Sequence, residues 1–477
     1  MENFSDFKVW GWMILFAVLL GSLLAGNIVK KAIPLLRASL IPTSVIGGII
    51  LLIIAAVYKA ITGNVMFDTE LFGGNGTASL EIITYHALAL GFIASALKTN
   101  GGKLTGKRSE EIFNSGVTTV ATYLLQGIFG LIITLIVSLV ISGFFAAAGV
   151  LLPFGFGQGT GQALNYGNIY EQDFGFAGGR SFGLTIAALG FLSASIGGVI
   201  HLNVMKKSGK LVVSKRTDGS LHTDEIESDN EIPMQESMDK MTVQIALIAV
   251  SYLIAYFIMR GLAALFPGMS SLIYGFNFLI GVLIATLVKL SMNFLRGKGV
   301  IKKKYTNNFL LTRASNFFFD LMIVSGVAAI RLDILENYWG VMLILGIVGA
   351  VVTYLYNRIV AKVLFPDYYE EQFLAMYGML TGTASTGIIL LREVDGDFRT
   401  PASDNLVYQN FPAIVFGFPM MFLATFAPNH PVICLIIFIA FFAALNVLLF
   451  RRQIFSKLKR KRKLENKKAD SEDEKTN

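Results

Sequence analysis

Charge is what this sequence has little of. Asp, Glu, Lys and Arg make up 15% of its 477 residues, where a soluble domain carries about a quarter to keep its surface in water. With 54% hydrophobic residues, the shortfall excludes an ordinary soluble globule and asks for lipid as part of the solvent. Cysteine is almost absent. The one example, Cys434, lies in an apolar run, which excludes an internal disulfide and a cysteine-cluster metal site. The four histidines, His86, His201, His222 and His430, are scattered and give no zinc-ligand spacing. A cleavable leader is also missing from the pattern. Glu2 and Asp6 precede the first apolar run, where a basic start and a small-residue cleavage site would be needed, so residues 9–29 read as a retained span.

What is present is a succession of apolar runs. A helix needs about 20 mostly apolar residues to cross a bilayer. Candidates fall near 9–29, 43–60, 84–97, 116–147, 181–204, 241–262, 271–293, 314–330, 338–361, 406–427 and 431–450. Of these, 84–97 and 314–330 look short for a full crossing. The formal net charge of +8 does not point to nucleic acid, because the cations cluster between apolar runs. With the N-terminus outside, Lys30, Lys31 and Arg37 fall inside, as do Lys98, Lys103, Lys107 and Arg108. The polar stretch 205–240, the loop holding Lys302 to Lys304 and the tail from Arg451 to Lys463 also fall inside. Asp68, Glu70 and Glu81 fall outside. One orientation therefore satisfies the positive-inside rule, with the C-terminus cytoplasmic.

That register makes the first five spans run opposite to the next five, the arrangement of inverted-repeat carriers. The expected fold is an all-α polytopic membrane protein. Residues 1–204 form a first half, 205–240 a cytoplasmic linker, 241–428 an inverted second half, and 429–477 an extra span with a basic tail. Each half holds one glycine-rich polar segment, expected to be a re-entrant hairpin, at about 150–167 and 372–391. Laid over each other without a gap, the segments match Leu151 with Leu374, Gly155 with Gly378, Gly159 with Gly382 and Thr160 with Thr383.

Non-helical backbone at membrane depth is tolerated only when buried in protein or lining a wet cavity. Glycines such as Gly155, Gly157, Gly159, Gly161 and Gly382 permit tight turns there. Freed carbonyls, with hydroxyls of Thr160, Thr381, Thr383, Ser385 and Thr386, can ligate a hard cation such as Na⁺. Freed N–H groups at helix N-termini can hold a carboxylate. Gln158, Gln162 and Asn165 add neutral donors and acceptors. The alternative is that the glycines only pack helices closely; the matched pair favours function. The run Gly155 to Gly161 lacks the Gly-Lys-Ser/Thr ending of a P-loop.

Asn316 and Asp320 share a helix face, and an acidic residue inside a span suggests an ion site. The alternative is that Asp320 pairs with Arg313 at the inner end; the ion site is the favoured reading. The Na⁺ ligand candidates are Thr160, Thr383, Ser385 and Asp320. Arg180 could clasp a substrate carboxylate, or anchor its helix at the interface. His86 reads as a packing residue, and the basic tail as a topology anchor against anionic lipid.

The chain resembles the bacterial sodium/glutamate symporter family over its first ten spans. Gly157-Gln-Gly-Thr-Gly161, Thr381-Gly-Thr-Ala-Ser385 and Phe182-Gly-Leu-Thr-Ile-Ala-Ala-Leu-Gly190 carry the likeness. Gln158 stands where the resemblance leads one to expect histidine. The resemblance implies Na⁺-coupled uptake of glutamate at re-entrant loops that meet near the membrane middle, in a cell-membrane carrier. No enzymatic activity and no organic cofactor are expected; Na⁺ is the coupling ion, and a homodimer is the expected assembly. Other readings stay open: a carrier of another organic anion, a sodium/proton exchanger using Asp320, or a channel. An intramembrane enzyme would need a facing catalytic pair that the spans do not offer.

Overall fold

The computed structural model describes residues 4, 6–38, 41–98, 106–208, 231–233, 238–336, 338–395 and 399–454. Most of the central linker and the tail beyond Ile454 lie outside the described residues. Helices dominate: α1 (Phe7–Ala32), α2 (Pro34–Ala38), α3 (Thr43–Thr62), α4 (Gly76–Leu97), α5 (Gly106–Val140), α6 (Leu151–Phe174) and α7 (Gly179–Lys207). After the linker come α8 (Lys240–Leu265), α9 (Ser270–Gly275), α10 (Asn277–Gly297), α11 (Asn308–Ala328) and α12 (Trp339–Leu364). The chain continues through α13 (Tyr369–Thr381), α14 (Ala384–Arg392), α15 (Ala402–Tyr408), α16 (Asn410–Phe426) and α17 (Pro431–Leu449). Ten helices among the described residues are long and apolar enough to cross a membrane.

Local chemistry sets the helix ends. The Asp6 carboxylate accepts from Lys8 N–H to cap α1, and the Lys30 ammonium donates to Ile41 C=O at 2.6 Å just past its other end. Asp239 caps α8 by accepting from Met241 and Thr242 N–H. Asn307 does the same for α11 through Leu310 N–H. A returning piece of the linker is pinned here as well. Glu231 pairs with Lys240 at 2.9 Å and Lys304 at 3.3 Å, and accepts from Asn307 Nδ2 at 2.7 Å.

Several expected boundaries need correction. The runs 84–97 and 314–330 are not short: α4 and α11 have 22 and 21 residues. Their first two turns carry polar residues, Thr77 and Ser79 in one and Thr312 and Arg313 in the other, which hide the helix from a hydropathy reading. The fourth span begins at Gly106 in charged sequence and ends at Val140, not at 147. At 1.5 Å per residue it is ~50 Å long, well beyond the hydrocarbon core. The run 271–293 is divided into α9 and α10 near Phe276, and 406–427 into α15 and α16. The apolar part of α16, Pro412–Phe426, is shorter than the ten spans and contains Pro419.

The helices pack as two bundles. α1, α3, α4, α8, α10 and α11 form one, here the wall bundle. α5, α6, α7, α12, α13, α14, α16 and α17 form the other, the hairpin bundle. Each bundle draws matching elements from both sides of the linker. The first three spans on either side build the wall, and the last spans with their glycine-rich segments build the hairpin bundle. α17, the added span, lies along α5, where Phe438 fills the space beside Gly127.

Candidate functional site

The two glycine-rich segments are helices broken at the positions that the alignment paired. In α6 the break is Gly159, with φ +80° and ψ −172°, a conformation essentially reserved for glycine. The arms then fold back on each other. Phe154 and Tyr166 stack with ring centroids 3.7 Å apart, although twelve residues of unbroken helix would separate them by ~18 Å. In the second segment the break is Gly382, with φ −145° and ψ −106° between α13 and α14. Its arms also pack together, and a methyl on Gly378 would lie 2.8 Å from Gly387 Cα.

The two tips meet. A methyl placed on Gly159 would lie 3.4 Å from Thr383 Cγ2 and 3.8 Å from Gly382 C=O. A single helix satisfies backbone near both breaks. Tyr123 of α5 donates its hydroxyl to Gly157 C=O at 3.0 Å. Gln126, one turn later, donates Nε2 to Leu380 C=O at 2.9 Å and to Thr353 Oγ1 at 2.8 Å. Each of these carbonyls lies two residues before its break, so the breaks are equivalently supported.

A cavity of about 150 Å³ lies where the tips face the wall bundle. Gly157, Gln158, Gln162, Gly382, Thr383 and Ala384 line it from the hairpins, and Leu88, Phe92, Ser95, Phe278, Leu279, Phe319 and Met322 from the wall. Tyr123, Met379 and the α16 residues Asn410, Ala413, Ile414, Gly417 and Met421 complete it. Gln162 is 1% exposed. Its amide nitrogen and oxygen have no hydrogen-bond partner among the described residues, although burying an unpaired amide is costly. Such a group is poised for a ligand.

The remaining candidates are distributed around this point. Thr160 donates to Met322 C=O at 3.3 Å, and Gly161 lies against Leu88 while Gly155 lies against Ile186 and Ala187. The Thr381 hydroxyl is turned back to Tyr377 C=O at 2.6 Å. The Thr383 and Thr386 hydroxyls are 3.4 Å apart. Ser385 is in the first turn of α14, but its side chain lies outside the described residues. Asn165 donates to Gly275 C=O at 3.2 Å.

Arg180 is away from the cavity, paired with Glu81 at 2.6 Å and Glu171 at 2.9 Å. Asn316 and Asp320 occupy an exposed face of α11 and do not line the cavity. No ion pair joins Asp320 to Arg313 among the described residues. Arg313 instead covers the Phe309 ring at 4.9 Å. His86 is held by the Tyr252 hydroxyl at 2.7 Å. No group of three or more His, Cys, Asp or Glu side chains suited to a metal occurs among the described residues. A cation here must use hydroxyls and carbonyls.

Polar contacts between the bundles collect beyond the tips, on the side away from Lys98. Arg180 reaches Glu81, Asn165 reaches Gly275, and Ser271 donates to Asp173 at 3.2 Å. Toward the other side the cavity extends to Ser95, two residues from the end of α4. The sequence reading missed Tyr123, Gln126 and the aromatic wall. A tyrosine and a buried glutamine one turn apart on an apolar span were the available signal for the first two.

The architecture is that of a multi-pass helical membrane protein built around a pair of broken helices. The model of the sodium/glutamate symporter family matches residues 12–399, and the chain belongs to that family. No curated protein matches the sequence.

Proposed function

We propose that this chain is a Na⁺-coupled symporter that brings glutamate or a related small carboxylate into the cell by alternating access. The observation that carries the reading is the cavity where the two tips face the wall bundle, with Gln162 buried at its edge and without a hydrogen-bond partner among the described residues. Broken helices direct N–H groups at an anion and carbonyls at a cation. The carboxylate is held by the N-termini that start at Thr160 and Thr383, with Gln158 and Gln162 completing its hydrogen bonds. Na⁺ is coordinated by the Thr383 hydroxyl and backbone carbonyls at the breaks.

The hairpin bundle moves against the wall bundle. The matched origin of each bundle on the two sides of the linker supports inverted halves. So does the entry of one hairpin after the far end of α5 and of the other after the basic end of α12. Lys30, Lys31, Lys107, Arg108, Arg296, Lys304 and Arg451 gather at one end, which supports a cytoplasmic assignment for that end and an external N-terminus. The cavity then faces inward, with the Arg180–Glu81 contact closing the outer side. A homodimer remains part of this reading.

Uptake of labelled glutamate and competing carboxylates into proteoliposomes, with and without an inward Na⁺ gradient, tests the proposal. Na⁺-dependent accumulation is expected; its absence for every carboxylate removes the reading. Gln162→Leu should lower uptake about tenfold or more while leaving the melting temperature nearly unchanged, because the amide has no partner to lose among the described residues.

A further inference from the structure

On the far side of the tips the seam between the bundles opens again, into a cavity of about 380 Å³ whose lining includes Glu81, Tyr85, Asn165, Asn168, Gln172 and Arg180. Its α6 residues continue a polar face that starts at the first cavity. Gln162, Asn165, Asn168 and Gln172 follow one another at steps of three and four residues, so they lie along one side of the helix. Gln172 and Asn168 are exposed, whereas Asn165 is 5% and Gln162 1% exposed. The face thus runs from solvent down to the buried amide at the tips. Two contacts across the seam interrupt it, Asn165 on Gly275 C=O and Leu88 on Gly161.

Arg180 stands at the outer end of this face, with its guanidinium between two carboxylates of different bundles. Glu171 belongs to its own bundle. It accepts from Arg180 Nε and from the Arg180 backbone N–H, each at 3.1 Å, so this pair travels with the hairpins. Glu81 belongs to the wall and accepts from Nη1 at 2.6 Å. Parting the bundles takes Glu81 away and leaves that donor aimed into the cavity. A guanidinium offers five donors in a planar fork that matches a carboxylate, and the vacated place is one that a carboxylate fills.

From this we infer that the second cavity is an external entry site for a small carboxylate. Arg180 receives the cargo in the place that Glu81 holds while the seam is closed, and the polar face of α6 leads from there to the tips. The inference rests on the transport reading and on its assignment of this side as external. The entry site is distinct from the site at the tips, since the twelve residues from Gly159 to Glu171 span ~18 Å of helix, more than one small carboxylate bridges. Glu81 is a resident competitor, a carboxylate of the protein's own that the cargo replaces.

Intact cells expressing the full chain present only the outer face, and uptake into them gives an external KM. The probe is labelled glutamate, or whichever carboxylate the proteoliposomes accumulate. Glu81→Gln removes the competitor and should lower the external KM about threefold to tenfold. Arg180→Gln removes the receptor and should raise it about tenfold. Opposite signs are the mark of an entry site. If the pair only latches the bundles together, both substitutions open the latch and shift KM in the same direction, which overturns the inference while Na⁺-driven transport stands. Arg180→Lys keeps the charge without the fork and should raise KM about threefold, so a poorly folded Arg180→Gln does not decide the matter. An external KM that no folded Arg180 variant raises also overturns the inference. No Na⁺-dependent uptake by the unaltered chain removes the transport reading, and the entry site with it.

Discussion

The two hairpins break at the same aligned position for different physical reasons. At Gly159 the backbone itself demands glycine, because φ is +80°, and the space beside it is open enough for a methyl at 3.4 Å from its nearest neighbour. At Gly382 φ is negative, −145°, and space is the limit. A methyl there would meet Thr386 Oγ1 at 2.9 Å and Gly378 C=O at 3.1 Å. One tip is constrained by torsion, the other by crowding. A shared architecture therefore does not imply a shared tolerance.

The most direct way to break this comparison is to place alanine at each tip. Gly159→Ala forces a side chain into a glycine-only conformation, a strain of about 1–3 kcal/mol. It should reduce uptake about tenfold or more. Gly382→Ala is relieved by rotation of the Thr386 side chain together with a shift of a few tenths of an ångström at Gly378 C=O and should do less. Equal or reversed losses in initial uptake rate, at matched expression, would show that the torsion at Gly159 is not what matters.

The supports on α5 sharpen the same contrast. Gln126→Leu removes two donated hydrogen bonds and leaves Leu380 C=O buried without that donor, for a destabilisation of about 1–3 kcal/mol. Tyr123→Phe removes one, from a half-buried ring beside the cavity, where water can replace it. Melting temperature should fall more for Gln126→Leu, and uptake should fall for both. The reverse order of melting would mean that the second hairpin is not the more dependent on its prop.

A control away from both tips should give the smallest effect. In the loop after α11, burial pushes the Asp333 carboxyl up, but the hydrogen bond from Lys59 and the charge of Arg331 outweigh it and hold its pKa below the ordinary value. The ion pair, 2.7 Å long, is thus fully stabilising above the ordinary carboxylate range. It is lost as pH falls through the depressed value. Asp333→Asn should lower stability by under about 1 kcal/mol at neutral pH, since the site is partly exposed, and by nothing at strongly acid pH. A large effect on uptake would tie this loop to transport after all.

Much of this was legible in the sequence because glycine and threonine recur with the same spacing in two distant segments. Laying Gly159 on Gly382 pairs the two segments, but only the backbone torsions show that both helices break at that pair. The starts of α4 and α11 were not legible, since polar residues, Thr77 and Ser79 in one and Thr312 and Arg313 in the other, interrupt the apolar run there. Arg180 could not be resolved either. Its partners Glu81 and Glu171 lie 99 and 9 residues away, and only folding brings the first of them near. Phe92, Phe278 and Phe319 look in sequence like any lipid-facing aromatics. Their role as one wall arises because α4, α10 and α11 pack together across the linker.

The position of Tyr123 and Gln126 has a consequence for what the chain can tolerate. Two props three residues apart on one helix make the relative height and azimuth of the tips a matter of helical pitch. Inserting a single residue between them would rotate one prop by about 100° and raise it by ~1.5 Å, taking a donor from its carbonyl although every side chain remained. A substitution along this turn weakens one tip at a time. A change in its residue count would put the two tips out of phase.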